Sequence, residues 1–438
     1  MSKTKYIKIE KPKILKNRIL LSKLYLSRSL KKYFRSRFFF AEYDKDIQNV
    51  STSILEIPVI SNILPLAWAE GANIYVEELD KRYSESLNRI KLVMKGWYPK
   101  LSFSTDINVE EIVSNSSTSE GNELGLLFSG GIDSTSSYIR HKNKKPNLIM
   151  VWGADIPLDR KEFWMGVKKK YKKFANQENM KISFIKTNMR QFMNEKLLTI
   201  KFGSYLTASD WWGALHHGVG LLGLCAPIAV SEQIGTILIP SSHTRELFEY
   251  RWGSHPLIDN QMSWANTKVI HDGYDLSRQE KIRYVLKDRI RNSKRYPPLR
   301  VCWSQFRDFN CGKCEKCSRT IAGLVLENID PNKCGFNIES GFFNFLRQLF
   351  IEGKFSLSPG KVFLWKDIQR QIPKVMKHNL YGCKEFFTWF RGFNISRIET
   401  QENTTIVQRL LNISKKLPEP AQDVILQLYL KILEREEH

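Results

Sequence analysis

Long apolar runs are missing from this chain of 438 residues, and their absence argues against a membrane protein. No run approaches the roughly 18 consecutive apolar residues that a membrane-spanning helix needs. The N-terminus lacks the long apolar core of a signal peptide, and we find no internal repeat. We therefore expect a cytoplasmic protein of about two or three domains without a membrane partner.

Acidic residues are almost absent from the first 40 positions. Residues 1–40 contain thirteen Lys or Arg and a single acidic residue, Glu10, so they carry +12 of the net charge of +23. A basic arm of this kind can bind nucleic acid, an anionic membrane surface or an acidic protein partner. It can also be a solvated surface that aids solubility, so nucleic acid and an acidic partner remain candidates.

Cysteine is sparse as well, but its distribution is informative. The chain has seven cysteines, four of which form the spacing C-x8-C-x2-C-x2-C: Cys302, Cys311, Cys314 and Cys317. An odd, clustered set in a chain that we expect to be cytosolic favours a metal site over disulfides. Four thiolates suit a tetrahedral structural zinc, and backbone amides in the tight turns can support the sulfurs.

Two alternatives to zinc remain open for this cluster. A four-cysteine iron–sulfur cluster can use similar spacing, and the thiols can also be free. Three cations flank the cysteines and would offset part of the negative charge of a metal–thiolate centre, namely Lys313, Lys316 and Arg319.

The order of the predicted elements indicates an α/β protein. Residues 52–77 read as short strands and turns, including Ile54–Ile60 and Ala72–Val76, and a helix is expected from about Glu78 to Trp97. A Ser-rich linker over residues 114–122 is typical of a domain boundary. Apolar strands then alternate with helices, as in a parallel sheet: Leu124–Phe128, Leu148–Trp152, Ile182–Ile185 and Thr236–Ile239.

The last hundred residues look helical, with candidates at Phe342–Phe350, Trp365–Met376 and Val424–Leu433. We therefore predict three regions. They are a basic N-terminal α+β region at 1–120, an α/β domain at 121–330 that ends in the cysteine cluster, and a helical region at 331–438.

A glycine loop follows the first strand of the α/β region. The strand Leu124–Phe128 leads into Ser129, Gly130 and Gly131, and a helix is expected to begin near Asp133. Adjacent glycines allow positive φ and close approach of a ligand, and a helix N-terminus offers free N–H groups to an anion. The hydroxyls of Ser129, Ser134 and Thr135 add donors. The loop is not of the Gly-x4-Gly-Lys-Ser/Thr type, because Gly131 occupies the lysine position.

The segment from Ser129 to Thr135 resembles the SGGxDS signature of the ATP-pyrophosphatase (PP-loop) superfamily. That resemblance implies a HUP-like, Rossmann-type parallel sheet in which the loop holds the pyrophosphate of ATP while a substrate oxygen attacks the α-phosphate. It also implies ATP and Mg²⁺ as cofactors, with Asp133 among the catalytic residues. Trp152 and Gly153, which end the second strand, are expected to face the adenine, while Asp155 is as readily a loop cap.

The cysteine cluster narrows the resemblance to the 7-cyano-7-deazaguanine synthases, over roughly residues 123–325. Those enzymes combine SGGxDS with the same cysteine spacing, which implies Zn²⁺. The segment Leu276–Ile282 is similar to the family's Thr-Lys-Ala-Glu-Ile segment with one extra residue. The resemblance implies ATP-dependent activation of a small carboxylate and its amidation by ammonia or an amine. Arg278 and Lys281 would then stabilise charge at the α-phosphate, or they are solvated helix charges.

The chain also departs from that family. It is about twice as long, and Gly253–Asp259 replaces the family's Ser-Gly-Tyr-Pro-Asp segment. We predict His255 and Asp259 as substrate contacts, with a turn-forming role as the alternative. His216 and His217 lie in an apolar helix and are expected to be core or capping residues.

The chain resembles longer homologues of this synthase from antiviral defence operons, and that resemblance implies action on other substrates, including protein termini. The alternatives are a tRNA-modifying PP-loop enzyme and a nucleotide-binding subunit of a defence complex with little catalysis. The basic arm motivates the first alternative. A sulfur-transfer enzyme would need a catalytic thiol, and Cys225 is the one spare cysteine of the α/β region, in an apolar segment. The sequence leaves the oligomeric state open.

Overall fold

The computed structural model describes residues 4–115, 123–206, 210–302, 309–355 and 357–398. The helix expected over Val424–Leu433 and most of the linker expected at 114–122 lie outside these ranges. The strands are β1 Tyr6–Ile9, β2 Lys13–Leu15, β3 Ile19–Leu26, β4 Phe38–Tyr43, β5 Asn73–Asp80, β6 Ile107–Val113, β7 Glu123–Leu127, β8 Asn147–Trp152, β9 Ile182–Thr187, β10 Ile234–Pro240, β11 Ser263–Trp264 and β12 Thr267–Asp272.

The α-helices alternate with these strands and then form the C-terminal region. They are α1 Thr52–Glu70, α2 Lys81–Trp97, α3 Ile132–Arg140, α4 Lys161–Gln177, α5 Glu195–Phe202, α6 His217–Ser231, α7 Pro256–Asp259, α8 Arg278–Glu280, α9 Lys287–Ser293, α10 Glu315–Leu326, α11 Phe342–Ile351, α12 Pro359–Arg370 and α13 Cys383–Gly392. Two π-helices, Trp212–His216 and Lys281–Leu286, precede α6 and α9.

A single mixed sheet runs through the described residues in the order β11-β12-β10-β7-β8-β9-β4-β3-β1-β5-β6, with β2 paired to β3. Five neighbouring strands, β12, β10, β7, β8 and β9, are parallel. Numbered along the chain from β7, these five follow the doubly wound order 3-2-1-4-5, reversed here. In such sheets the crevice for a ligand lies where the strand order reverses, which is between β7 and β10.

Helices cover both faces of the parallel part. On one face α3 and α4 pack Tyr138, Trp164 and Tyr171 onto the strands. On the other face α1 and α6 form the largest core with the inward side chains of the N-terminal strands. A separate core joins the C-terminal helices to the cysteine segment and includes Cys302 and Cys317. The prediction of an α/β protein with a mostly parallel sheet is therefore confirmed.

Most of the predicted strands and helices are present with shifted ends. The four apolar strands of the α/β region are β7, β8, β9 and β10, and the helix expected near 78–97 is α2. Asp80 caps α2 by accepting a hydrogen bond from the N–H of Tyr83. The helix predicted over Trp365–Met376 is α12, which begins at Pro359 and ends at Arg370.

The strand predicted over Ile54–Ile60 is wrong, because these residues lie in the middle of helix α1. Seventeen residues of α1 are buried, on every side of the helix. A helix that is apolar all round shows no amphipathic period, and β-branched residues with Pro58 and Pro65 favour a strand or a turn locally. Packing against α6 and β5 decides the outcome instead.

Two helical segments are long and apolar enough to cross a membrane by length and composition, Thr52–Glu70 and Trp212–Ser231. Buried residues make up 94% and 83% of their most apolar stretches. Core helices of soluble proteins pass the same test, so the segments carry little weight as membrane spans.

The N-terminal region continues the same sheet. Strand β4 pairs antiparallel with β9 through Ala41–Thr187, Glu42–Lys186 and Tyr43–Ile185. The basic residues 1–40 that the structure describes therefore form strands and a 3-10 helix and are not an extended arm. The division into three domains stays a prediction.

Candidate functional site

The glycine loop lies at the carboxyl end of β7, where the strand order reverses. Ser129, Gly130 and Gly131 join the strand to α3, whose first residue is Ile132. The next strand in the sheet, β10, ends beside it and leads into Ser241 and His243. Strand end, glycine turn and helix start thus meet at the sheet position where anionic ligands bind in open α/β folds.

The hydroxyl of Ser134 holds the loop in shape. Its Oγ accepts hydrogen bonds from the N–H groups of Gly130 at 3.1 Å and Ser129 at 3.3 Å, and it donates to the carbonyl of Gly131 at 3.3 Å. Thr135 is buried, and its Oγ1 has no hydrogen-bond partner among the described residues. Of the hydroxyl groups predicted as donors, that of Ser134 therefore organises the loop, whereas that of Thr135 has no hydrogen-bond partner among the described residues.

The two glycines differ in what their surroundings require. Gly130 has a φ of +80°, and a Cβ on it would overlap the Tyr171 hydroxyl, so both backbone and packing demand glycine. Gly131 has a φ of −75°, and a Cβ on it would meet its nearest neighbour, the Ser129 Oγ, at an ordinary 3.5 Å. The protein itself therefore leaves space beside Gly131.

Asp133 forms an ion-pair cluster with the two predicted cations. Its Oδ2 is 2.5 Å from Arg278 Nη2, and its Oδ1 is 3.3 Å from both Arg278 Nε and Lys281 Nζ. Burial raises the pKa of Asp133, but the charges of Arg278 and Lys281 lower it by more. The net pKa lies well below the usual range. The structure thus brings together the three residues that we predict as catalytic.

Local structure explains how the two cations reach the loop. Ser277 and Glu280 form a capping box that starts α8, and Asp367 of α12 accepts hydrogen bonds from Ser277 Oγ at 2.8 Å and Gln279 N at 3.0 Å. A π-helix begins at Lys281, and such segments are frequent at functional sites. Lys281 Nζ also donates to the Ser241 carbonyl at 2.6 Å, which ties the π-helix to the end of β10.

Two further cations face the same cleft, and sequence reasoning did not place either of them in this site. Arg300 donates from its N–H to the Gly130 carbonyl at 2.8 Å and from Nε to the Ser129 carbonyl at 3.2 Å. Lys316 lies between two of the clustered cysteines, and its electrostatic neighbours include Asp155, Arg278 and Arg300. Arg319, the third cation near the cysteines, is instead paired with Glu315 at 2.7 Å.

Asp155 is the second carboxylate of this cleft. Partial desolvation raises its pKa, and the charges of Lys316, Arg300, His217 and Arg190 lower it more, so the net pKa lies below the usual value. The side chain is nevertheless exposed to solvent. This arrangement forms an open, mostly cationic cleft with two ionised carboxylates. No residue type or spacing in the sequence indicates that Arg300 belongs to it.

Trp152 and Gly153 hold the end of β8. The Trp152 ring stacks on Trp164 at 5.6 Å, and its Nε1 donates to the Pro157 carbonyl at 3.0 Å. Gly153 has a φ of +103°, and a Cβ there would overlap the Thr187 carbonyl. The indole therefore serves the core, and an adenine contact by the Gly153 backbone stays a prediction.

The two predicted substrate residues are both buried. His255 caps α7, since its Nδ1 accepts from the Leu257 N–H at 3.1 Å, and its Nε2 lies 3.1 Å from the Phe248 carbonyl. Asp259 Oδ2 contacts Ser254 Oγ and His271 Nδ1, each at 2.7 Å. Turn formation, the alternative role, accounts for His255, and a substrate contact by either residue stays a prediction.

Aromatic side chains line the region between Asp259 and the glycine loop. His217 packs edge-on against Trp212 at 5.1 Å and lies 5.8 Å from Trp252. His243 lies against both Tyr250 and Trp252, at 5.1 and 5.6 Å, and these two rings stack on each other. His216, in contrast, is fully buried and lies 2.7 Å from Asn62 Oδ1, which confirms it as a core histidine.

The four clustered cysteines converge on one point. Ligand atoms of Cys302, Cys311, Cys314 and Cys317 all lie within 4.8 Å of one another. A tetrahedral ion with Zn–S bonds of about 2.3 Å holds its sulfurs about 3.8 Å apart, and Cys311 Sγ and Cys317 Sγ are 3.9 Å apart. An iron–sulfur cluster would spread the thiolates wider than a single ion does. The set could thus hold a metal ion such as zinc.

Backbone amides support the sulfurs as expected. The N–H groups of Lys313 and Cys314 point to Cys311 Sγ at 3.4 and 3.2 Å, and the Cys311 N–H points to Cys302 Sγ at 3.4 Å. Such bonds stabilise thiolates, which are the metal-binding form. Asn310 joins the turn to the preceding strand-like segment through its side chain, which accepts from Val301 N at 2.8 Å and donates to the Leu299 carbonyl at 2.7 Å.

Comparisons with known proteins found no relative of this chain. The chain matches no protein-family model, and searches of curated proteins and of solved structures gave no significant match.

Proposed function

We propose that the chain is an ATP-dependent ligase of the ATP-pyrophosphatase type, similar to 7-cyano-7-deazaguanine synthase. The observation that carries the proposal is the glycine loop at the switch point of a parallel sheet, flanked by buried cations that reach it from distant parts of the chain. Strand, loop and helix N-terminus suit a polyphosphate. Arg278, Lys281 and Arg300 suit the negative charge that develops at a phosphate under attack.

The reaction then has two steps. A carboxylate oxygen of the substrate attacks the α-phosphorus of ATP, the bond to the bridging oxygen breaks, and pyrophosphate leaves from the loop. Ammonia or an amine next attacks the acyl carbon, loses a proton and displaces AMP. The N–H groups at the start of α3 would hold the pyrophosphate, while Lys281, fixed between Asp133 and Ser241, would contact the α-phosphate.

Two metals enter the proposal in different roles. Zinc in the four-cysteine site would be structural, since all four positions are thiolates and none is left for a substrate. Magnesium would arrive with ATP and would neutralise phosphate charge, with Asp133 and Asp155 as the cleft carboxylates able to accept it.

The sulfur-transfer alternative needs a reactive thiol, and Cys225 is poorly suited to that role. Cys225 is fully buried in α6 and burial raises its pKa to about 12, so it is inert at neutral pH. The tight four-cysteine set suits a single ion better than a redox cluster. A role in antiviral defence, on other substrates, stays a prediction of the resemblance.

The proposal is tested by product analysis. The chain is incubated with ATP, magnesium, a 7-carboxy-7-deazaguanine-like acid and ammonia or a peptide amine, and products are followed by mass spectrometry. We expect AMP and pyrophosphate in equal amounts and a new amide. ADP and phosphate as the products would contradict the proposal, as would an Asp133→Asn variant of normal activity. The matched control is Asp275→Asn, an exposed aspartate that pairs with Arg140, which should leave activity unchanged.

A further inference from the structure

The excess positive charge of the chain is not confined to residues 1–40. Several lysines of the N-terminal region are paired with carboxylates, as Lys5 is with Glu70 at 2.5 Å and Lys11 with Glu77 at 2.6 Å. Three other segments carry as much charge as that region. Residues 142–145 hold three lysines and no acidic residue, 161–181 hold seven lysines against two glutamates, and 287–295 hold five cations against one aspartate, for a total of +12.

These three segments meet at one buried carboxylate, Glu178. Lys142 and Arg289 both contact its Oε2, the latter at 2.7 Å, and Arg295 Nη1 lies 3.7 Å from its Oε1. Tyr138 of α3 donates its hydroxyl to the same Oε2 at 2.7 Å. One carboxylate therefore holds the three cationic segments together, and we call their exposed side chains the Glu178 surface.

Much of the charge on this surface is exposed. Seven of its side chains make no ion pair in the part of the chain that the structure describes: Lys144, Lys145, Lys169, Lys172, Lys173, Arg291 and Lys294. An excess of charge of one sign destabilises a compact protein through self-repulsion, and a bound anion offsets it. A polyanion is the partner that this distribution fits.

A cavity of about 370 Å³ opens beside Glu178. Aromatic rings and guanidinium groups line it together, including Tyr138, Phe174, Tyr296, Arg289 and Arg295. Rings and guanidinium planes stack on unpaired nucleobases, while neighbouring cations track the phosphates of the strand. An acidic peptide offers charge to the lysines but no planar group for this cavity.

We propose that the Glu178 surface binds single-stranded nucleic acid, with its phosphates on the lysines of α4 and residues 142–145 and one base in the cavity at Tyr296. The surface goes beyond the proposed ligase activity, because none of the cleft residues contributes to it. It also differs from the N-terminal location that the sequence suggests for such a partner.

The test is binding of a labelled single-stranded RNA of about 20 nucleotides to the full chain, measured by fluorescence anisotropy over a range of salt. We expect the logarithm of the affinity to fall linearly with the logarithm of salt. The double variants Lys144→Gln/Lys145→Gln and Lys172→Gln/Lys173→Gln should each weaken binding and make the slope shallower by about 1.4, at about 0.7 for each lost phosphate contact.

Two controls distinguish this surface from its rivals. Lys8→Gln/Lys16→Gln removes the same charge from the N-terminal region and should leave the affinity nearly unchanged. Tyr296→Leu should lower affinity about tenfold without changing the slope, because it removes stacking but no charge. Melting temperature checks that each variant is folded.

Absence of binding at low salt, or equal losses from the N-terminal pair, would overturn the proposal. Two results together would indicate an acidic protein partner instead. A polyglutamate peptide would compete as strongly as unlabelled RNA, and Tyr296→Leu would leave the affinity for RNA unchanged. Neither result would bear on the ligase reaction, which is measured without nucleic acid.

Discussion

The N–H of Arg300 donates a 2.8 Å hydrogen bond to the carbonyl of Gly130, and Cys302 follows only two residues later. Val301 and Cys302 are held in turn by the side chain of Asn310, at 2.8 and 3.3 Å. Cys302, one of the four clustered cysteines, and the glycine loop are therefore joined by one short hydrogen-bonded segment. Changes at the cysteines should reach the loop through it.

Loss of the metal should thus weaken nucleotide binding as well as stability. We expect one zinc per chain, and Cys311→Ser should lose the zinc, melt at lower temperature and bind ATP weakly. Elemental analysis and calorimetric titration with ATP measure the effects. Cys383→Ser, at a buried cysteine outside the cluster, should keep its zinc. Tight ATP binding by a zinc-free chain would contradict the link between the two sites.

The two loop glycines should respond differently to a methyl group. Gly130→Ala should destabilise the protein by about 2 kcal/mol or more, because alanine is strained at positive φ and would displace Tyr171. Gly131→Ala should change the unfolding free energy by less than about 0.5 kcal/mol yet weaken ATP binding. Urea unfolding and ATP titration test the pair, and a Gly131→Ala variant with normal ATP affinity would show that no ligand occupies the space beside it.

Removing the Asp133 carboxylate should leave the two mostly buried cations Arg278 and Lys281 without the anion that neutralises them. Breaking a buried ion pair from one side costs about 3–5 kcal/mol, so we expect Asp133→Asn to be strongly destabilising at neutral pH. Adding Lys281→Met should recover part of the loss, because it removes one of the stranded charges. Because the folded pKa of Asp133 is lowered, its contribution is present above the pKa of the unfolded aspartate and is lost as pH falls. Additive losses in a double-mutant cycle would contradict this coupling.

Glu56 should make the protein less stable as pH rises. This residue of α1 is fully buried, neither carboxylate oxygen has a hydrogen-bond partner in the described residues, and burial raises its pKa well above the usual value. The folded state therefore keeps a proton that the unfolded chain releases, and stability falls from the unfolded pKa upward to the folded one.

Replacement by an apolar side chain removes this effect. Glu56→Met should stabilise by about 1–3 kcal/mol, and the gain should be larger at about pH 8 than at about pH 5. Urea unfolding at the two pH values provides the measurement, with the exposed Glu110→Met as control. An equal gain at both pH values would show that Glu56 has an ordinary pKa.

The sequence predicted those parts of the molecule that local patterns determine. Apolar runs predicted strands such as β8, and the cysteine spacing predicted that the four cysteines converge, because each depends on residues close in the chain. The helix α1 was missed since its neighbours, α6 and β5, bury all its sides and erase the pattern. Arg300 was missed for a related reason: its place in the cleft comes from the fold of the 299–302 segment around Asn310, which no local signal encodes.

The same limit explains the predicted substrate residues. His255 and Asp259 are polar residues near a proline turn, which is a reasonable pattern for a ligand contact. Burial was not visible in the sequence, and their polar atoms lie against Phe248, Ser254 and His271. Asp133, Arg278 and Lys281, by contrast, were predicted from separate segments, and the structure places them in one cluster.

The pairing of β4 with β9 determines how the molecule should come apart. Residues before 115 supply α1, which covers the sheet, and residues after 123 supply α6, against which α1 packs. Neither half keeps its hydrophobic face covered without the other, and a chain cut between them would expose a bare strand edge at β9. Heating should therefore melt these two regions in a single cooperative step, and scanning calorimetry should record one shared transition for them.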